Sequence, residues 1–197
     1  MNVPLEPTAT IGAAPPPTAR VFFALWPAAS LAEQLAAVAR DAGGQFGGRP
    51  TRQETIHLTL VFLGEVAEAR LPELVRAASG LRGEAFALTV DQLAFWSHKH
   101  LLWAGCSVVP PALSRLVGDL LAMLAAVGVN HDAGRHGFTP HLSLLRRVPG
   151  ATAPTLGRPP PAIGGLAWPC RSFVLVRSRL SATGPAYQIL AEFPLAP

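Results

Sequence analysis

The pattern His-Leu-(Thr or Ser)-Leu occurs twice, as His57-Leu58-Thr59-Leu60 and as His141-Leu142-Ser143-Leu144, each time inside a short apolar run. In a strand, residues i and i+2 share one face while i+1 and i+3 share the other. His57 and Thr59 therefore point one way and Leu58 and Leu60 the opposite way, and the second copy repeats this. If the leucines face a core, two strands each present an imidazole and a hydroxyl to a surface or cleft.

That set of groups has a use. Imidazole moves protons near neutral pH, and a pair can serve as acid and base in one displacement. Hydroxyls can donate to the oxygens of a phosphate. One such strand alone is ordinarily just a half-exposed polar pair; the repetition is what points to a site.

With 197 residues, half of them hydrophobic, the chain suits one domain or two small lobes around a real core. The formal charge of +4 is small, so it permits an anionic partner without identifying one. Of the 16 basic residues only Lys99 is lysine. Arginine suits phosphate recognition, but the abundance of Ala, Pro and Gly makes base composition the simpler cause. Cys106 and Cys170 form neither a disulfide framework nor a zinc signature and read as buried free thiols in a reducing cytosol. The first twenty residues carry five prolines and no signal-peptide pattern, and Leu116 to Val129 is too short to cross a membrane. A cytoplasmic location is expected.

Residues 1–19, rich in Pro, Thr and Ala, are expected to be a disordered tail, with a single domain over 20–197. Arg20 to Trp26 reads as a strand closed by Pro27. A helix follows from a cap at Ser30 to Gly43-Gly44. A second helix is predicted over Ala67 to Ser79, and a third from Pro111 to Gly128. Phe86 to Val90 reads as a strand, and Phe95 to Ala104 as a hairpin turn entering another. His98 and His100 have a spacing found in metal sites, but without a ligand cluster nearby they read as an exposed turn. A polar loop with His131, Asp132, Arg135 and His136 precedes the second motif. The Pro- and Gly-rich run from Pro149 to Gly165 reads as an irregular loop. Strands follow at Ser172 to Val176 and Tyr187 to Phe193.

Both halves thus run apolar strand, helix, glycine-containing loop, motif strand, which suggests two equivalent strands about a pseudo-twofold axis. Hairpins and helices without regular alternation point to an α+β fold with mainly antiparallel sheet.

These residues carry a resemblance. The opening Arg20-Val21-Phe22-Phe23-Ala24-Leu25-Trp26-Pro27, the run His57 to Gly64, and Phe138-Thr139-Pro140-His141-Leu142-Ser143-Leu144-Leu145-Arg146 resemble the 2H phosphoesterase superfamily. Within it they are most similar to the RNA 2′,3′-cyclic phosphodiesterases, historically named 2′-5′ RNA ligases. The likeness extends from about Arg20 to Leu195, and Ser143 stands where threonine is more usual. It implies a bilobal fold, two mainly antiparallel sheets with flanking helices around a central cleft. It also implies hydrolysis of RNA 2′,3′-cyclic phosphate ends to 2′-phosphates, with His57 as proton donor, His141 as proton acceptor, and Thr59 and Ser143 holding the nonbridging oxygens. RNA or oligonucleotide ends are the expected partner, the chain is expected to be a monomer without membrane attachment, and neither metal nor other cofactor is expected. Arg146 would fall on the opposite strand face from His141 if the strand is regular, leaving a phosphate contact and a structural salt bridge equally open. Phe22 and Tyr187 are candidates for stacking a base.

Three alternatives stay open: another cyclic or 2′-5′-linked nucleotide as substrate, an RNA-binding module without turnover, and a metal-dependent hydrolase built on the six histidines. Against the last, no His-x-x-x-His or carboxylate cluster stands at ligand spacing.

Overall fold

A computed structural model describes residues 16–131, 138–155, 160, 162–181 and 184–197. Most of the expected tail lies outside these residues, as do Asp132, Arg135 and His136 and part of the Pro- and Gly-rich run.

The described chain runs β1 (Thr18–Leu25), α1 (Ala29–Phe46), β2 (Arg49–Pro50), β3 (Leu58–Ala67), α2 (Leu71–Ser79), β4 (Phe86–Val90), β5 (Gln92–Trp96), β6 (Leu101–Gly105), α3 (Pro111–Ala126), β7 (His141–Arg146), β8 (Leu166–Cys170), β9 (Ser172–Ser181) and β10 (Gly184–Pro194). Seven strands follow the order β10-β9-β1-β3-β7-β6-β5, with β2 added beside β7, and β4 and β8 form a separate ribbon. All these pairings are antiparallel, so the fold is α+β as expected. No helix among the described residues is long and apolar enough to cross a membrane.

The internal repetition is visible in this order. β1-α1-β3 and β6-α3-β7 are equivalent units on either side of the β3/β7 boundary. The halves interlock, because β5 of the first pairs with β6 of the second, while β9 of the second pairs with β1 of the first. The two sheets expected from the resemblance are the wings of one hydrogen-bonded sheet, joined through the single pair Leu58↔Leu142.

The leucines of both motifs face the core. Leu58, Leu60, Leu142 and Leu144 are buried with Leu35 of α1 and Leu120 of α3, and each leucine so removed from water contributes about 1.5–3 kcal/mol. Several boundaries differ from the sequence reading. β1 begins at Thr18, because Thr18 and Ala19 pair with Ala67 and Val66 of a longer β3; Ala67 is therefore strand, and α2 starts at Leu71. Ser30 lies inside α1, whose N-cap is Ala28, and α1 continues through Gly43-Gly44 to Phe46. Phe46 is fully buried with Leu102, Leu145 and Val148, and that packing outweighs the cost of about 1 kcal/mol for each helical glycine.

Candidate active site

Two departures from regular pairing shape the motif strands. Between β6 and β7, Leu102 partners Leu145 while Trp103 partners Ser143, so Leu144 is an extra residue. Leu144 and Leu145 are consequently both buried, and Arg146 emerges on the face of His141 and Ser143. A bulge of this kind re-aims the side chains beyond it. The first half does the same: Phe23 pairs with Val61 and Ala24 with Thr59, skipping Leu60, and Phe62 takes the place that Arg146 holds in the second half. The expectation that a regular strand turns Arg146 away is thereby corrected. Arg146 has no carboxylate partner among the described residues; its Nη2 donates to Ser143 Oγ at 3.0 Å.

The exposed ends of both motifs meet in an open cleft of about 460 Å³ whose lining includes His57, Thr59, His141, Ser143, Arg146 and Tyr187. Arg20 and Lys99 add two further cations, and among the described residues no carboxylate lines it. Such a surface favours an anion.

The imidazoles are held alike. His57 Nδ1 lies 2.8 Å from the Thr55 carbonyl oxygen, and His141 Nδ1 lies 2.9 Å from that of Thr139. A carbonyl only accepts, so each Nδ1 carries the proton and each Nε2 remains for chemistry. Neutral, either ring is a base at Nε2; protonated, either is an acid there.

Their surroundings differ. The His57 ring stacks on Phe22 at 4.9 Å and Trp26 at 5.3 Å, and Tyr187 meets it edge-on at 5.1 Å between centroids. Burial in this aromatic box, followed by repulsion from Arg146 and His141, pushes the His57 pKa down to about 4, although its bond to Thr55 works upward. His141 meets Trp96 at 4.6 Å and Trp103 at 6.2 Å. Burial lowers its pKa too, with Lys99 and Arg146 adding repulsion. Burial likewise raises the phenol of Tyr187, against the pull of Arg146, Arg20 and Arg52.

All seven residues singled out in the sequence line the cleft, but Phe22 is only 3 % exposed. Its ring is engaged with His57 and Tyr187 and leaves little surface for a base, so Phe22 is a wall behind His57. The sequence assigns no site role to Trp26, Trp96, Trp103, Lys99 or Arg20, although Arg20 and Trp26 lie in the opening run that carries the resemblance. Lys99 Nζ sits 4.6 Å over the Trp96 ring, and the one signal in its favour was being the sole lysine. His98 and His100 lie exposed in the β5–β6 turn, His100 with a left-handed backbone and its Nδ1 donating to Val148 O at 3.1 Å. Cys170 is buried and Cys106 half-buried, both as free thiols, and burial raises the Cys170 pKa to about 12.

Paired histidines on pseudo-symmetric strands, each followed at i+2 by a hydroxyl and opening on one cation-lined cleft, are the arrangement that the resemblance to the 2H phosphoesterases implies. Residues 25–103 match the model for the family described as LigT like Phosphoesterase. The RNA 2′,3′-cyclic phosphodiesterase of Thermus thermophilus is 32% identical over 188 residues, covering 89% of this chain and 90% of that protein. The protein of the same name from Escherichia coli is 32% identical over 127 residues, 64% of this chain and 71% of its own. The crystal structure of E. coli LigT complexed with 3′-AMP superposes with a TM-score of 0.80 at 28% identity, covering 92% of this chain and all of that one. The chain belongs to the LigT-like phosphoesterase family.

Proposed function

We propose that the protein hydrolyses RNA 2′,3′-cyclic phosphate ends to 2′-phosphomonoesters by a two-histidine acid/base mechanism that requires no metal. The observation that supports this best is the matched pair of Nδ1-anchored imidazoles in a cleft lined by cations. His141 Nε2 takes a proton from water as the water oxygen attacks phosphorus. The bond from phosphorus to the 3′ oxygen breaks, and His57 Nε2 delivers the proton that the departing oxygen needs. The product keeps phosphate on the 2′ oxygen and regains a 3′ hydroxyl. Thr59 and Ser143 donate to the nonbridging oxygens. Because Arg146 donates to Ser143 Oγ, the serine's own proton is available to the phosphate, and the guanidinium supplies charge beside it.

For this division of work His57 must be protonated as substrate reacts, whereas burial in its aromatic box favours the neutral form. The charge of the cyclic phosphate provides the compensation, since a nearby anion favours imidazolium. The direction of proton transfer comes from the family resemblance, as the two rings have the same hydrogen-bonded tautomer. Incubating the purified protein with 2′,3′-cyclic, 3′,5′-cyclic and 2′-5′-linked compounds tests the function. Turnover of the first with release of the 2′-phosphate is expected; preference for either of the others, or binding without turnover, would overturn it.

A further inference from the structure

The cleft continues past the reacting groups. Arg20, Ser178 and Leu180 belong both to its wall and to an adjoining groove of about 280 Å³ over β1 and β9. Arg20 shares a strand face with Phe22, the ring that stacks on His57, and stands about 7 Å further along β1. Ser178 is its cross-strand partner on β9, and Tyr187 partners Ser178 on β10. On the other side, the Arg20 guanidinium lies 4.7 Å over the Phe62 ring. It has no carboxylate partner among the described residues, because Glu65, its cross-strand neighbour, accepts from Thr18 Oγ1 at 2.9 Å instead.

We propose that Arg20 and Ser178 form a second phosphate subsite, which takes the phosphodiester linking the terminal nucleoside to its 5′ neighbour. This rests on the function proposed above. A 2′,3′-cyclic phosphate occupies the last ribose, so the rest of an RNA leaves through that nucleoside's 5′ oxygen, and the first phosphate along the path is the next charge to be met. Guanidinium matches the two nonbridging oxygens of a phosphodiester, and a serine hydroxyl adds a donor. Leu180, 72% exposed, offers the neighbouring base an apolar surface. Farther along, the groove presents Glu65 and Glu68, the latter held by Arg177 at 3.1 Å. Those carboxylates confine the subsite to one phosphate.

The test compares adenosine 2′,3′-cyclic phosphate with the di- and trinucleotides of adenosine ending in the same group. In the wild type the dinucleotide should be favoured roughly tenfold or more in kcat/KM, mostly through KM, as a charged hydrogen-bonded contact is worth at least that. The trinucleotide should do no better. In Arg20→Gln the ratio of dinucleotide to mononucleotide should fall close to one, Arg20→Lys should restore part of it, and the salt dependence of dinucleotide KM should weaken by about 0.7 in log–log slope. A wild-type ratio near one, or one that survives in Arg20→Gln, would overturn the subsite, and a further tenfold gain for the trinucleotide would overturn its boundary. If no compound is turned over, the function falls instead. Equilibrium binding of the corresponding 2′-phosphates then decides the subsite, with equal Kd values for one and two nucleotides counting against it.

Discussion

Leu58 and Leu142 face each other across the boundary between β3 and β7, and through this pair the two wings of the sheet are hydrogen-bonded. Each directly follows a motif histidine. The junction that holds the wings together therefore also sets how His57 and His141 stand toward one another.

Leu142→Ala should for that reason do more than weaken the fold. Leu142 is 1% exposed, and its truncation should cost about 2–5 kcal/mol in urea unfolding. The rate should fall as well under conditions where the variant is fully folded, since positioning errors near 1 Å are expensive in catalysis. A destabilised variant with unchanged kcat would separate the junction from the site.

Arg146→Ala should lower kcat on the order of 10²-fold, the scale of losing a preorganised donor at a developing charge. Arg146→Lys should recover only part, because an ammonium cannot hold Ser143 Oγ and the phosphate in one fork. Ser143→Thr keeps the hydroxyl and should remain active. Full activity in Arg146→Ala would remove it from phosphate binding.

The bulge behind Arg146 marks where the sequence stopped being legible. The faces of His57, Thr59, His141 and Ser143 follow from alternation, and leucine burial confirms the register. Arg146 lies past the extra residue Leu144, and counting by twos sends it to the wrong face; the only trace is the adjacency of Leu144 and Leu145, two apolar residues where alternation calls for one. The tryptophans are a different case. Trp26 and Trp96 sit at or beyond strand ends, where alternation carries no directional information, and only tertiary packing brings them to the histidines. Gly43-Gly44 read as a helix end because local propensity says so, whereas the burial of Phe46 decides otherwise.

The depressed pKa of His57 makes acid sensitivity a prediction with a sign. Unfolded, the imidazole titrates near 6.5; folded, near 4. Between those values the unfolded chain binds more protons, so stability is fully present above about pH 6.5 and is lost as pH falls toward 4. The lowered His141 acts in the same direction. His57→Gln should flatten the pH dependence of the unfolding free energy across this window. An unchanged slope would mean that the aromatic box does not hold the ring neutral.

Activity should survive exhaustive treatment with EDTA, because the proposed proton transfers and phosphate contacts all come from side chains. Loss of turnover that a divalent ion restores would favour a metal-dependent reaction.

The division of labour between the histidines can be tested apart from their joint importance. Replacing either with Ala should cost on the order of 10²–10⁴ in rate, and the wild-type rate should rise and fall with pH as a bell set by the macroscopic pKa values of the pair. Neither result says which ring is the acid, since both carry the same Nδ1 anchor and the same free Nε2. A substrate whose leaving oxygen needs no proton does. If His57 is the acid, its removal then costs little, while loss of the base still leaves water unactivated. Such a substrate should rescue His57→Ala far more than His141→Ala. Equal rescue, or rescue of His141→Ala instead, would reverse the assignment and make the aromatic box around His57 the shelter of a neutral base.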